Sequence, residues 1–117
     1  MTINIFDNLP GSAKLELVDV LLQQKSIRIE RIVSSGQATS PDEWYDQAEH
    51  EWVVVLSGEA KILIEKPGNS PPPPKTELLH LKKGDSLLLK SHQRHRVAWT
   101  SQVELTIWLA IFFTGGE

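Results

Sequence analysis

Glu49, His50 and Glu51 stand together at the head of the stretch EHEWVVVLSGE, and two more histidines, His92 and His95, stand three apart in HQRH. Carboxylate oxygen and imidazole nitrogen are the donors that hold a divalent ion at about 2.0–2.2 Å, and they also make hydrogen bonds inside a polar cavity. The stretch therefore reads in two ways, as a metal grip or as the solvated lip of a β-strand. The chain has no cysteine, which excludes disulfides, thiolate zinc sites, iron–sulfur clusters and a cysteine nucleophile. Any metal must be held by imidazole, carboxylate or amide. No Ser-His-Asp arrangement is supported by the spacing, there is no glycine-rich phosphate loop, and no helix is long enough to carry paired carboxylates.

Other polar and aromatic residues read more plainly. His80, between Leu79 and Leu81, is a strand histidine on a sheet face, and His92 belongs to an exposed turn. Arg31 and Arg96 are either carboxylate-binding guanidiniums or exposed strand residues. Trp44, Trp52, Trp99 and Trp108 bury large areas, so core and interface packing is their first role.

The elements that must position these groups follow from periodicity. SIRIERIVSSG sets Ile27, Ile29, Arg31 and Val33 against Arg28, Glu30 and Ile32 before Gly36, the period-two pattern of a strand. LELVDVLLQQ (Leu15 to Gln24) fits a helical face and a strand face equally, and stays open. QATSPDEW is loop, and EWVVVLSGEAKILIEK is two strands bent about Ser57-Gly58 or one long bent strand. PGNSPPPPKTE, Pro67 to Glu77, is a surface loop with five of the chain's seven prolines. LLHLKKGDSLLLKSHQRHRVAWTS gives two short strands around Lys83-Gly84-Asp85, and VELTIWLAIFF a last apolar strand. Six or seven short strands without a long helix make an antiparallel sandwich or barrel.

At 117 residues, 40% apolar and 23% charged, the chain has the length and composition of one globular domain. No apolar run reaches the ~20 residues of a membrane span. The first residues, MTINIFDNLPG, lack the basic and long apolar regions of a secretory signal, so a cytoplasmic protein is expected. With net charge -3 and basic residues scattered singly, nucleic-acid binding is not expected.

Two spacings resemble the cupin superfamily of small jelly-roll barrels. Glu51 is followed by the six residues WVVVLS and then Gly58, matching the end of the first cupin motif. Gly84 is followed by DSLLL, Lys90-Ser91-His92, Gln93-Arg94 and His95, matching the second in length. The match covers about half the chain. Gln47 and Tyr45 stand where the family's two histidines usually stand, Lys90 and His92 replace its proline and glycine, and Trp99 replaces a closing asparagine. Of the usual four ligands, Glu51 and His95 are kept.

The resemblance implies an all-β, double-stranded β-helix (jelly-roll) barrel of two antiparallel sheets over residues 15–117, after an amino-terminal arm of residues 1–14. In it Gln47, Glu51 and His95 are the expected metal ligands, with Tyr45 and Trp108 in the ligand pocket. Along an extended strand Gln47 and Glu51 would lie about 13 Å apart, so their convergence requires a turn at Ala48-Glu49-His50. Glu49 and His50 then form that turn, and Glu51 faces the cavity. The implied function is binding of a divalent ion (Fe, Mn, Ni, Zn or Cu) and action on, or binding of, a small organic molecule in the barrel mouth. The alternative is a metal-free ligand-binding or scaffold barrel without catalysis. A homodimer is expected from the same analogy, and the Ile107-Leu109-Ile111 face is a candidate for pairing.

Overall fold

From His50 to Glu65 every second residue from Glu51 to Val55 is buried, and the phase is regained at Ala60, Ile62 and Ile64. A chain with that pattern has one face on a core and one toward solvent, and both of its strands are paired on both edges. The computed structural model describes residues 2–11, 14–66, 71 and 73–115 and has eight strands there. They are β1 (Leu17–Gln24), β2 (Ile27–Ser34), β3 (His50–Ser57), β4 (Glu59–Glu65), β5 (Thr76–Lys82), β6 (Ser86–Leu89), β7 (His95–Thr100) and β8 (Thr106–Phe113). One sheet has the order β1-β2-β8-β3-β6 and the other β5-β4-β7, and every pairing is antiparallel. The fold is the expected all-β barrel of two antiparallel sheets.

Several readings of the sequence are corrected in detail. Eight strands replace six or seven, because the segment from Leu78 to Ser101 holds β6 and β7 as well as most of β5. LELVDVLLQQ resolves to strand: Leu17 to Gln24 pairs with β2, which supplies the hydrogen bonds that periodicity cannot see. The proline-rich loop ends earlier than Glu77, since Thr76 and Glu77 open β5. Its residues 67–70 and 72 lie outside the described residues, as do residues 1, 12 and 13 of the arm and the end at 116–117. Within the arm, Ile5 O and Asp7 O accept bonds from Arg31 Nη1 at 3.1 and 2.7 Å.

Register stacks the inner residues in rows. Ile32, Trp108 and Val55 form one row across β2, β8 and β3. Glu30, Ala110 and Val53 form the next, and Arg28, Phe112, Glu51 and Leu89 the row nearest the open end. Opposite them β4 offers Ala60, Ile62 and Ile64, with Leu81 and Leu79 on one side and Thr100, Val97 and His95 on the other. Val55, Ala60 and Ala110 have no exposed surface, and burying a Val-sized side chain contributes roughly 1.5–3 kcal/mol.

The change of sheet between β3 and β4 falls on Gly58, at φ +86. A Cβ there would stand 2.5 Å from Leu105 O and 2.6 Å from Thr106 Cα, so only glycine lets the chain cross at this point. Among the described residues no helix is long and apolar enough to cross a membrane.

Candidate functional site

The segment before β3 runs along the free edge of β7. Thr39 N donates to Val97 O at 2.9 Å, and Tyr45 and His95 exchange backbone bonds. Tyr45 thereby faces inward while Trp44 faces away, against the guanidiniums of Arg94 and Arg96 at 5.1 and 5.5 Å. Gln47 O accepts from His92 N at 2.7 Å. The chain then bends at Ala48 and Glu49, which brings the Gln47 amide back to within 3.3 Å of Glu51 Oε1. The required turn is present, and His50 is already the first residue of β3 rather than part of it.

Glu49 is held in that turn by Arg28, whose Nη1 and Nη2 donate to its carboxylate at 2.8 and 3.0 Å while Nε donates to Glu30 at 2.8 Å. The guanidinium also lies 4.3 Å above the Phe112 ring. His50 turns outward: its Nδ1 accepts from Ser91 N at 3.0 Å and its ring meets Phe113. His80 and His92 are exposed and sit on Glu59 and Asp46. Arg31 is engaged by Asp19 and by the amino-terminal carbonyls.

Glu51, His95, Gln47, Tyr45 and Trp108, the five residues expected at the barrel mouth, line one cavity of about 190 Å³. Most of its wall is apolar: Val53 and Phe112 from the large sheet, Ile62 and Val97 from the small one, and Leu89 from β6. A neighbouring outer cleft of about 500 Å³ runs past Thr39, Trp44 and Lys14, and shares Glu16, Tyr45 and Val97 with the inner cavity. No lysine or arginine is among the described residues lining the inner cavity.

Among the lining residues that the sequence reading did not name are Glu16, Glu30 and Phe112. Phe112 and Glu30 had a signal, being in phase with Trp108 and Ile32 on their strands. Glu16 had none, because its approach depends on the pairing of Leu17 with Val33.

At the polar end the electrostatics are set by burial. Glu51 is 8% exposed and His95 5%. Loss of water pushes the Glu51 carboxyl up from 4.5 to about 7, against the Gln47 bond that favours its ionised form. The same loss of water lowers His95 below 6.5. His95 Nδ1 is 3.1 Å from Gln93 O, so it carries the proton. Nε2 is then a lone pair, 3.8 Å from Glu51 Oε1, a gap too long for a direct hydrogen bond. Burial also raises the Tyr45 phenol, which stays protonated.

These donors were tested against a resident metal ion. Catalytic transition-metal sites take three protein ligands. Here Glu51 and His95 supply two, the Gln47 amide is neutral and turned to Glu51, and the Tyr45 phenol holds its proton. Among the described residues no cluster of three His, Asp or Glu side chains could hold an ion. The donor set does not fit a tightly held divalent ion.

The cupin domain family matches residues 30–112. Among solved structures, the chain is 40% identical to a candidate mannose-6-phosphate isomerase from Ralstonia eutropha JMP134, over 98% of this chain and 99% of that one, with a TM-score of 0.83. A cupin superfamily protein from Desulfitobacterium hafniense DCB-2 shares the fold at 15% identity and TM-score 0.68, covering 92% and 84% of the two chains. An oxalate decarboxylase variant from Bacillus subtilis does so at 18% and 0.61, over 77% of this chain and 22% of that one. No curated protein matches the sequence.

Proposed function

We propose that this chain, which belongs to the cupin family, is a metal-independent pocket that binds a small uncharged organic molecule through a hydroxyl group. The observation that carries the reading is the 3.8 Å gap between Glu51 Oε1 and His95 Nε2. Burial holds the Glu51 proton up to about 7; with that proton the carboxyl donates, the neutral imidazole Nε2 accepts, and a hydroxyl, being donor and acceptor together, can satisfy both. Tyr45 and Gln47 add further hydrogen-bonding groups beside it, and Trp108, Phe112 and Val53 offer the apolar wall that a carbon skeleton needs.

Charge supports an uncharged ligand. Glu16, Glu30 and Glu51 line the cavity, Arg28 is engaged by Glu30 and Glu49, and no other cation faces inward among the described residues. A phosphorylated sugar or a dicarboxylate would bring its charge against these carboxyls without a counter-ion. The names of the two enzymes among the neighbours are therefore not carried over to this chain.

The test is elemental analysis of purified protein beside the Glu51→Ala, His95→Ala double variant, with calorimetric titration of short alcohols before and after chelation. Alcohol binding that survives chelation and is lost in the variant is the expected result. Near-stoichiometric metal that vanishes in the variant, with binding that vanishes on chelation, would replace this reading by a metal-centred one.

A further inference from the structure

The outer face of the small sheet carries two cations without a counter-ion. Register places His80, Lys61 and Trp99 in one row across β5, β4 and β7, and Leu78, Leu63 and Arg96 in the next. The Lys61 ammonium lies 5.3 Å from the centre of the Trp99 ring, and the Arg96 guanidinium 5.5 Å from that of Trp44. Among the described residues neither cation has a carboxylate partner. Arg96 Nε is moreover buried without a hydrogen-bond partner there, which is costly for a charged donor unless a group from outside the chain accepts from it. The acids of this face are already taken, Glu59 by His80 at 2.6 Å and Glu65 by Arg94 at 3.0 Å. Lys61, Lys82, Arg94 and Arg96 against Glu59 and Glu65 leave the face with positive charge in excess, on a chain of net charge -3.

Beside the two cations the surface is apolar, with Leu78 54% exposed next to Leu63. Lys61, Leu63, Leu78 and Arg96 line neither the inner cavity nor the outer cleft. A strand face of this kind suits a length of chain, whereas small molecules take concave sites. Lys61 stands diagonal to Arg96 across β4 and β7, roughly 7–8 Å away at Cα. On an extended segment, side chains two residues apart are separated by about 7 Å at ~3.3 Å per residue. We propose that this face docks an extended acidic segment of a partner protein, whose alternate carboxylates meet Lys61 and Arg96 and whose apolar side chain rests on Leu63 and Leu78. The planar guanidinium of Arg96 offers a carboxylate a paired set of donors, Nε included. Nucleic acid fits less well: cations already lie over the two indoles on which bases would stack, and the negative net charge opposes a phosphate backbone.

The test follows the indole N–H signals of Trp44 and Trp99 by NMR, assigned with Trp44→Phe and Trp99→Phe. The full chain is titrated with an acetylated, amidated hexapeptide carrying glutamate at alternate positions and leucine at its end, with the same peptide carrying lysine for glutamate, and with single-stranded oligothymidylate. The glutamate peptide is expected to move both signals to saturation, less tightly as salt is raised, and the lysine peptide to move neither. Lys61→Gln weakens the glutamate peptide about threefold, and Lys61→Gln with Arg96→Gln about tenfold. The single variant decides alone if the double one fails to fold. The inference is overturned if the glutamate peptide moves neither signal, if the lysine peptide binds as tightly, or if Lys61→Gln leaves the affinity unchanged. Tighter binding of oligothymidylate would give the face to nucleic acid, and a light-scattering mass halved by Lys61→Glu would give it to a second copy of this chain; either result overturns the inference as well.

Discussion

Tyr45 and His95 hold each other twice. Their backbones exchange hydrogen bonds at 2.7 and 3.1 Å, and their rings stack at 5.4 Å with 23° between the planes. This single bridge lies outside the eight strands, and it carries the approach to β3 across the open end of the barrel. The imidazole is therefore covered on one side by a ring that itself remains half-exposed.

Replacing that cover is the first prediction. In Tyr45→Ala the imidazole of His95 regains water, and its titration midpoint, lowered chiefly by burial, moves up toward 6.5. Following the ring Cε1–H signal by NMR against pH measures this. A midpoint that stays where it is in the wild type would mean that the sheet, not Tyr45, keeps water away.

The buried carboxyl makes stability depend on pH. The folded Glu51 holds its proton more tightly than the unfolded chain does, with 4.5 raised to about 7. Its contribution is complete below pH 4.5 and is lost as pH rises through 7. At ~1.4 kcal/mol per pH unit the difference is about 3 kcal/mol. His95 acts with the opposite sign, its lowered value removing stability as pH falls below 6.5. Comparing Glu51→Gln with the wild type cancels that term. Urea denaturation should show the variant gaining on the wild type by up to about 3 kcal/mol between pH 5 and 8, and a constant difference would refute the assignment.

Gly58→Ala tests the crossing between sheets. The substitution combines a strained positive φ with a methyl group pressed on backbone atoms of Leu105 and Thr106, a contact that no rotamer relieves. A loss of more than about 3 kcal/mol is expected, in the range of severe core defects. A loss below about 1 kcal/mol would show that the β3–β4 junction can shift without cost.

A fourth prediction concerns the outer face of the large sheet. Leu22, Ile29, Ile111, Trp52 and Leu88 form one apolar row across all five of its strands, with Leu22 and Leu88 44% and 45% exposed. A homodimer through this face is the expected state in solution, since rows of this kind mark association surfaces. Light scattering should give twice the 13.2 kDa of one chain, and Trp52→Glu should return it to one. A wild type of single mass at micromolar concentration would contradict the prediction.

How far the sequence could be read depended on how local each signal was. β2 and β3 were legible because alternation survives in one strand alone, and the Glu51-to-Gly58 and Gly84-to-His95 spacings carried the barrel. The turn at Ala48-Glu49 was required by distance, and it is present. Leu17 to Gln24 was not legible, since an edge strand with seven of its eight residues exposed keeps no one-sided pattern. Glu16 was invisible for a different reason. It reaches the cavity only through the pairing of β1 with β2 and a bond to Ser34, eighteen residues along the chain. The outward turn of His50 likewise depends on Ser91 N, forty-one residues away.

β8 is the middle strand of the large sheet, with β2 on one side and β3 on the other, and that has a consequence for synthesis. β2 and β3 reach each other only through residues 106–113, so neither can settle into its final place while those residues are still inside the ribosome. The β1–β2 and β4–β5 hairpins can zip early, being close in sequence. The wall holding Trp108 and Phe112 comes last, and the nascent chain carries Glu51 without the aromatic surroundings that set its proton affinity. The proposed pocket is therefore complete only once β8 has taken its place between β2 and β3.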